Sequence, residues 1–537
     1  MTTVARAILE IAHAAGVRTA FGLPGVHNLS FWRESGPGVP DLVLVRHEQT
    51  TVYAADGLAR ATGGLGVALT TTGPGAANAV GAFGEASRSR SPVLLVASEV
   101  PTTLVRPGVL RGVLHESRDQ AALFEPLAKA VFRPRTARDA VRDAAHAVEV
   151  AMTHPRGPVY VDVPTDVLVH EAGPLPTLAR PIVPTVDPAQ LAQALDVLRA
   201  AESVVVWAGG GVVQSEASAE LAELADRLGS PVVTTFAARG VLPPGHPRLV
   251  GLPPHEPEVA RLVGGADVLL VVGSELDGPM TRNWSMPRPP ELVNVNVDPS
   301  ALATGYEPDV GVVGDAREVL AALAGSLAGR EADDVGLKAV RAEAWARLRG
   351  DEAGGPALDF LEAVDEAVTA ADATVVCDMT IPGYWYGGYA RVAAPRRLQY
   401  PIGWGTLGYA LPASVGVGTL GSPVLAICGD GGFMYAVGEL AVLRQEQLPV
   451  TVLVVDDGGY GMLRFDQERA GDEHRGVDLT RPDFLGLATS FGLASERTDV
   501  AGLATVLAQA FASGEPRLIV LELALTPPRT TSPRWRD

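Results

Sequence analysis

Two carboxylates, Asp430 and Asp457, stand 27 residues apart at the ends of two apolar runs. Val424 to Cys428 runs into Gly429-Asp430-Gly431, and Val450 to Val455 runs into Asp456-Asp457-Gly458-Gly459. Short apolar runs closed by turn residues read as buried strands. The stretch between them, with Phe433, Val437, Leu440, Ala441 and Leu443 at helical spacing, reads as a helix. In a parallel sheet, ligands gather at the C-terminal ends of the strands. Glycines beside Asp430 let the backbone come close to such a ligand. Asp430 and Asp457 can share one Mg²⁺, which takes carboxylate, carbonyl and phosphate oxygens in an octahedral shell. An ordinary nucleotide-type β-α-β unit with acidic strand ends carries the same short signal, so the motif needs support elsewhere.

That support comes from the N-terminal third. Glu48 closes the strand-like run Leu42 to Val45 and precedes a helical stretch, Thr51 to Ala61. An acid there can also simply face a helix N-terminus. His27 and Asn28 sit on the loop Leu23 to Asn28, and His115 and Gln120 on a polar loop further on. Histidine titrates in the range useful for moving protons.

The elements that must position these groups alternate between strand and helix. Residues 1–172 form one such block, with strands at Arg18 to Gly22, Leu42 to Val45, Gly66 to Thr71, Pro92 to Ala97 and Val159 to Val163. Pro174 to Pro188 reads as a linker. A second block, 189–330, has strands at Ser203 to Trp207, Pro231 to Thr235, Val268 to Val272 and Leu292 to Val297. Its Gly209-Gly210-Gly211 run lacks dinucleotide-motif spacing and reads as a tight turn. The charged stretch Glu331 to Pro356 reads as starting with a linker, and the third block spans 350–537. Alternation of this kind predicts three doubly wound parallel α/β sheets.

Composition narrows the function. A net charge of −19 argues against a nucleic-acid partner, which needs a basic footprint. No run reaches transmembrane length, and the N-terminal stretch lacks a signal peptide's apolar block, so the expectation is a cytoplasmic protein without a membrane partner. The two cysteines, Cys377 and Cys428, lie in apolar runs and read as buried thiols.

The Gly429-Asp430-Gly431 and Asp456-Asp457 pattern resembles the diphosphate-binding motif of thiamine diphosphate enzymes, with Asp456-Asp457 in place of Asn-Asn. The segment Val45 to Val80, VRHEQTTVYAADGLARATGGLGVALTTTGPGAANAV, resembles the cofactor-activating segment of the acetolactate synthase family. Pro401 to Pro412 resembles the segment that supports the cofactor's bent shape. The resemblance implies pyrimidine-binding, central and diphosphate-binding domains in that order. It implies Mg²⁺ on Asp430, Asp457 and the Gly459 carbonyl, and cofactor contacts at Gly429, Gly431, Gly432, Tyr460, Gly461 and Met462. Leu407 becomes the apolar prop between the cofactor rings, and the Gly405 carbonyl accepts from the cofactor's amino group. Glu48 bonds the aminopyrimidine ring and favours the tautomer that activates the cofactor. His27 and His115 approach the thiazolium, to relay protons or to bind the carboxylate of a 2-oxo acid.

Val26, Asn28, Gln120, Trp404 and Asp466 would line the substrate pocket. Synthases carry tryptophan at the position of Asp466; an acid there suits a cationic or polar substrate, as in related decarboxylases of guanidino 2-oxo acids. The expected reaction is decarboxylation of a 2-oxo acid, with release of an aldehyde or ligation to a second carbonyl compound. A homodimer or homotetramer is implied, with Glu48 and the metal motif of one site on different subunits. FAD in the central domain stays open, because the arginine pattern around Val272 to Asp277 does not match. A lyase or hydrolase on another substrate class, or an inactive scaffold, are the alternatives.

Overall fold

The computed structural model describes residues 2–528 apart from Pro107 and Ile402. Met1, Ile402 of the Pro401 segment and the last nine residues of the expected third domain lie outside the described residues. Three parallel sheets account for the strands. The first contains β1 (Thr19–Gly22), β2 (Asp41–Leu44), β3 (Gly66–Thr70), β4 (Val93–Glu99), β5 (Ala130–Phe132) and β6 (Val159–Pro164), ordered β2-β1-β3-β4-β6-β5. The second contains β7 (Val204–Ala208), β8 (Val232–Thr234), β9 (Val268–Val272), β10 (Glu291–Asn296) and β11 (Val310–Val313), ordered β11-β10-β9-β7-β8. The third contains β12 (Thr374–Cys377), β13 (Leu398–Gln399), β14 (Val424–Gly429), β15 (Val450–Asp456), β16 (Ala494–Thr498) and β17 (Arg517–Glu522), ordered β13-β12-β14-β15-β17-β16.

The first and third sheets therefore share one strand order, and the second follows it over its first four positions. In each sheet the order reverses between the first and third strands. Crevices at such switch points are where α/β proteins bind ligands. In the third sheet that crevice is flanked by Asp378, just after β12, and Asp430, just after β14.

Strands buried on both faces explain the continuous apolar runs. Cys377 pairs with Ile427 across β12 and β14, so Cys428 points to the opposite face. Both thiols are fully buried and free, and burial pushes both well up.

The first and third domains meet where the helix Glu48–Thr62 crosses the helix Ala410–Gly418. Glycines allow backbone-to-backbone contact there. A Cβ on Gly416 would fall 1.9 Å from the Ala54 carbonyl oxygen, and one on Gly57 2.4 Å from that of Ala413. Beside the crossing, the Arg60 guanidinium pairs with Asp56 at 2.8 Å and Glu85 at 3.1 Å and lies over the Tyr409 ring. The Tyr409 hydroxyl donates to Asp56 at 2.9 Å.

The stretch from Glu331 starts without regular structure at 331–333 and continues as the helix Asp334–Gly350, because Leu337, Ala344 and Leu348 bury one face and Arg347 pairs with Glu256 and Glu258. One expectation needs correction. The run after Asp430 is not one helix. It breaks into a short turn of helix Asp430–Phe433, a 3-10 turn Val437–Glu439 and a helix Leu440–Glu446. Leu407 lies ahead of the helix that begins at Ala410. Residues 174–187 are without regular structure, as expected of a linker.

Candidate active site

Asp430 and Asp457 converge as the motif predicts. Burial, then the charges of Asp457 and Asp456, push the Asp430 carboxyl up to about 6. Burial raises Asp457 as well, opposed by Arg464. Two crowded carboxyls of this kind are the donor set a divalent cation relieves. Among the described residues no group of three His, Cys, Asp or Glu side chains gathers as a metal cage.

The backbone around these acids is packed too closely for side chains, so glycine is needed there. A Cβ on Gly431 would meet the Tyr460 ring at 2.6 Å, one on Gly432 would meet Asp378 at 2.8 Å, and one on Gly429 would meet Thr380 at 2.6 Å. A Cβ on Gly461 would fall 2.0 Å from the Asp457 carboxylate. Gly459 lies in extended backbone bridged to Asp478, with Val477 against it. Tyr460 donates its N–H to Val477, and its hydroxyl lies 3.4 Å from that of Tyr435. The glycine cradle and the paired acids fit a metal-bound diphosphate.

Asp456, one of the two acids in place of asparagine, has its own partners. It accepts from the Gly458 N–H at 3.1 Å and pairs with Arg481 at 3.2 Å. Its negative charge is thus met by a cation.

Leu407 is partly exposed and lies between Gly405 and Gly408, at φ +75° and +76°. The Gly408 N–H donates to Asp378 at 2.9 and 3.0 Å, and the Tyr409 N–H at 3.3 Å. Asp378 is 1% exposed, and burial pushes its carboxyl up to about 6. It thereby holds the loop that presents Leu407.

Glu48 is the first residue of its helix rather than the last of a strand. Its carboxyl accepts from Asn78 at 3.0 Å and lies beside Gly75. His27 and His115 come together, with ring centroids 5.4 Å apart. His27 Nε2 and His115 Nδ1 are buried without a hydrogen-bond partner, while His27 Nδ1 faces the Thr165 hydroxyl at 3.3 Å. Burial, reinforced by His115, lowers the His27 imidazole. Two uncommitted ring nitrogens in one place can accept or deliver a proton.

The expected pocket residues divide. Val26 is exposed at the loop tip. Asn28 is committed to its loop, with Oδ1 accepting from Gly25 and Nδ2 donating to Leu23. Gln120 is a buried hub that donates to Ser98, Tyr160 and Asp162 and accepts from the Gly73 N–H. Trp404 lays its ring on Gly84, where a Cβ would sit 1.3 Å away, and its backbone N–H donates to Glu85 at 3.0 Å. Asp466 is half-buried in the helix Gly461–Ala470, one turn beyond Met462, which packs on the core. Its charge, after burial and Asp378, helps push the Tyr384 phenol up to about 12.

The motifs did not reveal Asp378, Arg481, Tyr384 or Glu439. Asp378 carried the same signal as Asp430, an acid ending an apolar strand. Glu439 showed only as one acid within an apolar stretch.

A second cavity, of about 670 Å³, opens over the switch point of the central sheet. Arg60, Arg90, Arg156, Glu275, Asp298 and Trp284 are among its walls. Arg90 spans it, pairing with Glu275 at 2.7 Å and Asp298 at 2.8 Å.

Comparison with known proteins agrees with this arrangement. Residues 2–123 match the N-terminal thiamine pyrophosphate-binding domain of thiamine pyrophosphate enzymes, 191–323 the central domain and 378–521 the C-terminal binding domain. A probable 2-ketoarginine decarboxylase of Pseudomonas aeruginosa is 34% identical over 505 residues, 92% of this chain and 89% of that one. A probable acetolactate synthase large subunit of Methanocaldococcus jannaschii is 30% identical over 547 residues, 96% of this chain and 91% of that one. The thiamine diphosphate-dependent 4-hydroxybenzoylformate decarboxylase of Rhodococcus jostii shares the fold, with a TM-score of 0.82, 24% identity and coverage of 98% and 100% of the two chains. With its two strand-end acids, its glycine cradle and all three domains matched in order, the chain belongs to the thiamine pyrophosphate enzyme family.

Proposed function

We propose that this enzyme decarboxylates a 2-oxo acid whose side chain ends in a cation, and releases the aldehyde. The observation that carries the substrate class is Asp466. It replaces the tryptophan of acetolactate synthases with a negative charge, half-buried and close enough to bear on Tyr384. A half-buried carboxylate favours a guanidinium or ammonium partner over an aliphatic group. The similarity to a 2-ketoarginine decarboxylase supports the same reading.

In this reading Asp430, Asp457 and the Gly459 carbonyl hold Mg²⁺. The backbone at Gly429, Gly431, Gly432, Gly461 and Met462, with Tyr460, surrounds the diphosphate. Bound thiamine diphosphate supplies the electron sink that loss of CO₂ requires. The Glu48 carboxyl would hydrogen-bond the pyrimidine ring, and the Gly405 carbonyl would accept from the ring's amino group. Leu407 excludes the extended shape, which is preorganisation by positioning. His27 and His115 hold and return protons on the thiazolium side through the two nitrogens that lack partners. Val26 closes the mouth of the pocket.

We further infer a homodimer or a larger homo-oligomer, acting in the cytoplasm. Met434, Tyr435, Leu463 and Leu479 leave apolar surface exposed beside the metal motif, and a second copy supplying its own Glu48 would cover it. FAD is not needed for this reaction. The central cavity, spanned by Arg90, is the place to seek it by the visible absorbance of the purified protein.

The test is CO₂ release from a panel of 2-oxo acids with thiamine diphosphate and Mg²⁺, with products identified by mass spectrometry. Aldehyde from 5-guanidino-2-oxopentanoate or a 2-oxo acid with an ammonium tail supports the proposal. Acetolactate from pyruvate as the main product overturns it in favour of a synthase.

A further inference from the structure

One buried carboxyl outside the motif assignments reaches the segment that carries Glu48. Glu439 ends the 3-10 turn Val437–Glu439 in the diphosphate domain and is 1% exposed. Both its carboxyl oxygens accept from the Arg46 N–H, each at 3.2 Å. The Thr50 hydroxyl donates to Oε1 at 2.8 Å, and the His47 N–H also points at the carboxyl.

The neighbours of Glu439 grip the same segment. The Arg46 guanidinium donates to Gln445 at 2.7 Å, and Gln49 Nε2 donates to the Tyr435 carbonyl at 3.2 Å. Residues on both sides of Glu48 are thus tied to residues 435–445. Glu48 itself has one side-chain bond, from Asn78 at 3.0 Å.

The donors lie just ahead of a helix. The helix begins at Glu48 with His47 as its N-cap, and the His47 imidazole accepts from the Gln49 N–H at 3.2 Å. Glu439, from another domain, accepts from the Arg46 and His47 N–H groups that precede the helix, and negative charge is favourable near a helix N-terminus. Burial pushes the Glu439 carboxyl up to about 7, so the fold keeps a group that is costly to ionise. A carboxamide of the same size has one acceptor oxygen in place of two, so it cannot accept from Arg46, His47 and Thr50 as the carboxyl does.

We propose that Glu439 is a positioning residue for Glu48. It fixes the backbone at residues 46–50 and so sets the direction of the Glu48 carboxyl. The inference rests on the role of Glu48 in the reading above. A change in where a catalytic group points, by about 1 Å, can cost on the order of 100-fold in rate.

The experiment compares the full-length Glu439→Gln, Thr50→Val and Glu48→Gln proteins. Amide hydrogen exchange is read first, without cofactor. Glu439→Gln should raise exchange across residues 46–50 by about 10-fold while leaving peptides elsewhere unchanged, since local opening tracks local contacts. Affinity for thiamine diphosphate with Mg²⁺, read by fluorescence titration, should stay within about 3-fold, because the diphosphate motif is untouched. Exchange of the bound cofactor's thiazolium proton and kcat should both fall about 10- to 100-fold, with KM little changed. Thr50→Val should move both in the same direction by less, and it carries the test if Glu439→Gln does not fold. Unchanged exchange at 46–50, or normal kcat with Glu48→Gln inactive, overturns the positioning role alone. An active Glu48→Gln removes the Glu48 assignment and this inference with it. Exchange raised throughout the chain would make Glu439 a general structural residue and also overturns the proposal.

Discussion

Gly416→Ala tests whether the crossing of the two central helices sets the site. The added methyl would sit 1.9 Å from the Ala54 carbonyl oxygen and 2.7 Å from its carbonyl carbon. Carbon–oxygen contacts settle near 3.3 Å, so the helices must part by about 1.4 Å. Backbone atoms cannot rotate aside as a side chain can, which puts the cost at the upper end of overpacking, about 3 kcal/mol. For a unit of this size that lowers the thermal midpoint of the first and third domains by roughly 6–12 °C. The helix Glu48–Thr62 begins at Glu48, and the helix Ala410–Gly418 follows the Leu407 loop, so the same movement misaligns both. The assay is differential scanning calorimetry of the cofactor-free protein, with kcat measured well below the midpoint. Gly325→Ala is the control. It lies in the helix Ala316–Ser326 with nothing within 4 Å, and alanine there should be neutral or stabilising by up to about 1 kcal/mol. If Gly416→Ala melts within about 1 °C of the parent with unchanged kcat, the crossing does not position the site.

Arg481→Gln should lower diphosphate affinity at saturating Mg²⁺ by about 10-fold, because Asp456 loses its cation; adding Asp456→Asn should restore it, as isothermal titration with inorganic pyrophosphate would read. Asp466→Trp should lower kcat/KM for a cationic 2-oxo acid by about 10- to 100-fold and raise that for pyruvate, measured as CO₂ release; equal losses on both would make Asp466 unspecific. Glu439 rises from 4.5 to about 7 on folding, so the folded protein holds its proton more tightly. Its contribution to stability is full below pH 4.5 and is lost as pH rises toward 7, by at most about 3 kcal/mol. Thermal midpoints of the cofactor-free protein should fall across that window, and less steeply in Glu439→Gln. Arg60→Ala should cost about 3–5 kcal/mol by leaving Asp56 and Glu85 buried without their cation, seen as a lower denaturant midpoint.

The sequence was most legible where period and composition agree. Apolar runs such as Val450 to Val455 could only be buried strands, and acids at their ends marked the ligand side of the sheet. The helix Asp334–Gly350 was missed because few of its residues face the core, so charge hid its periodicity. The break after Phe433 was missed because a pattern that fits a helix also fits two short turns. The roles of Asp378, Glu439 and Arg481 arise from contacts between residues tens to hundreds of positions apart, or from a turn folding back on itself. No local pattern records these. The hydrogen bonds that commit the Asn28 and Gln120 amides to neighbouring loop and strand groups are likewise invisible in a local pattern.

The two cysteines make the chain its own reporter of local opening. Cys377 and Cys428 are its whole thiol content, and they face opposite sides of one sheet beneath the diphosphate motif. A thiol that is both buried and held protonated is inert to alkylating and disulfide reagents. Labelling of either residue therefore counts only the moments when that sheet opens on the corresponding side. Mass spectrometry of the two labelled peptides would show which face loosens first, and whether cofactor and metal close it. Single cysteines added elsewhere for spectroscopic probes would react against a silent background.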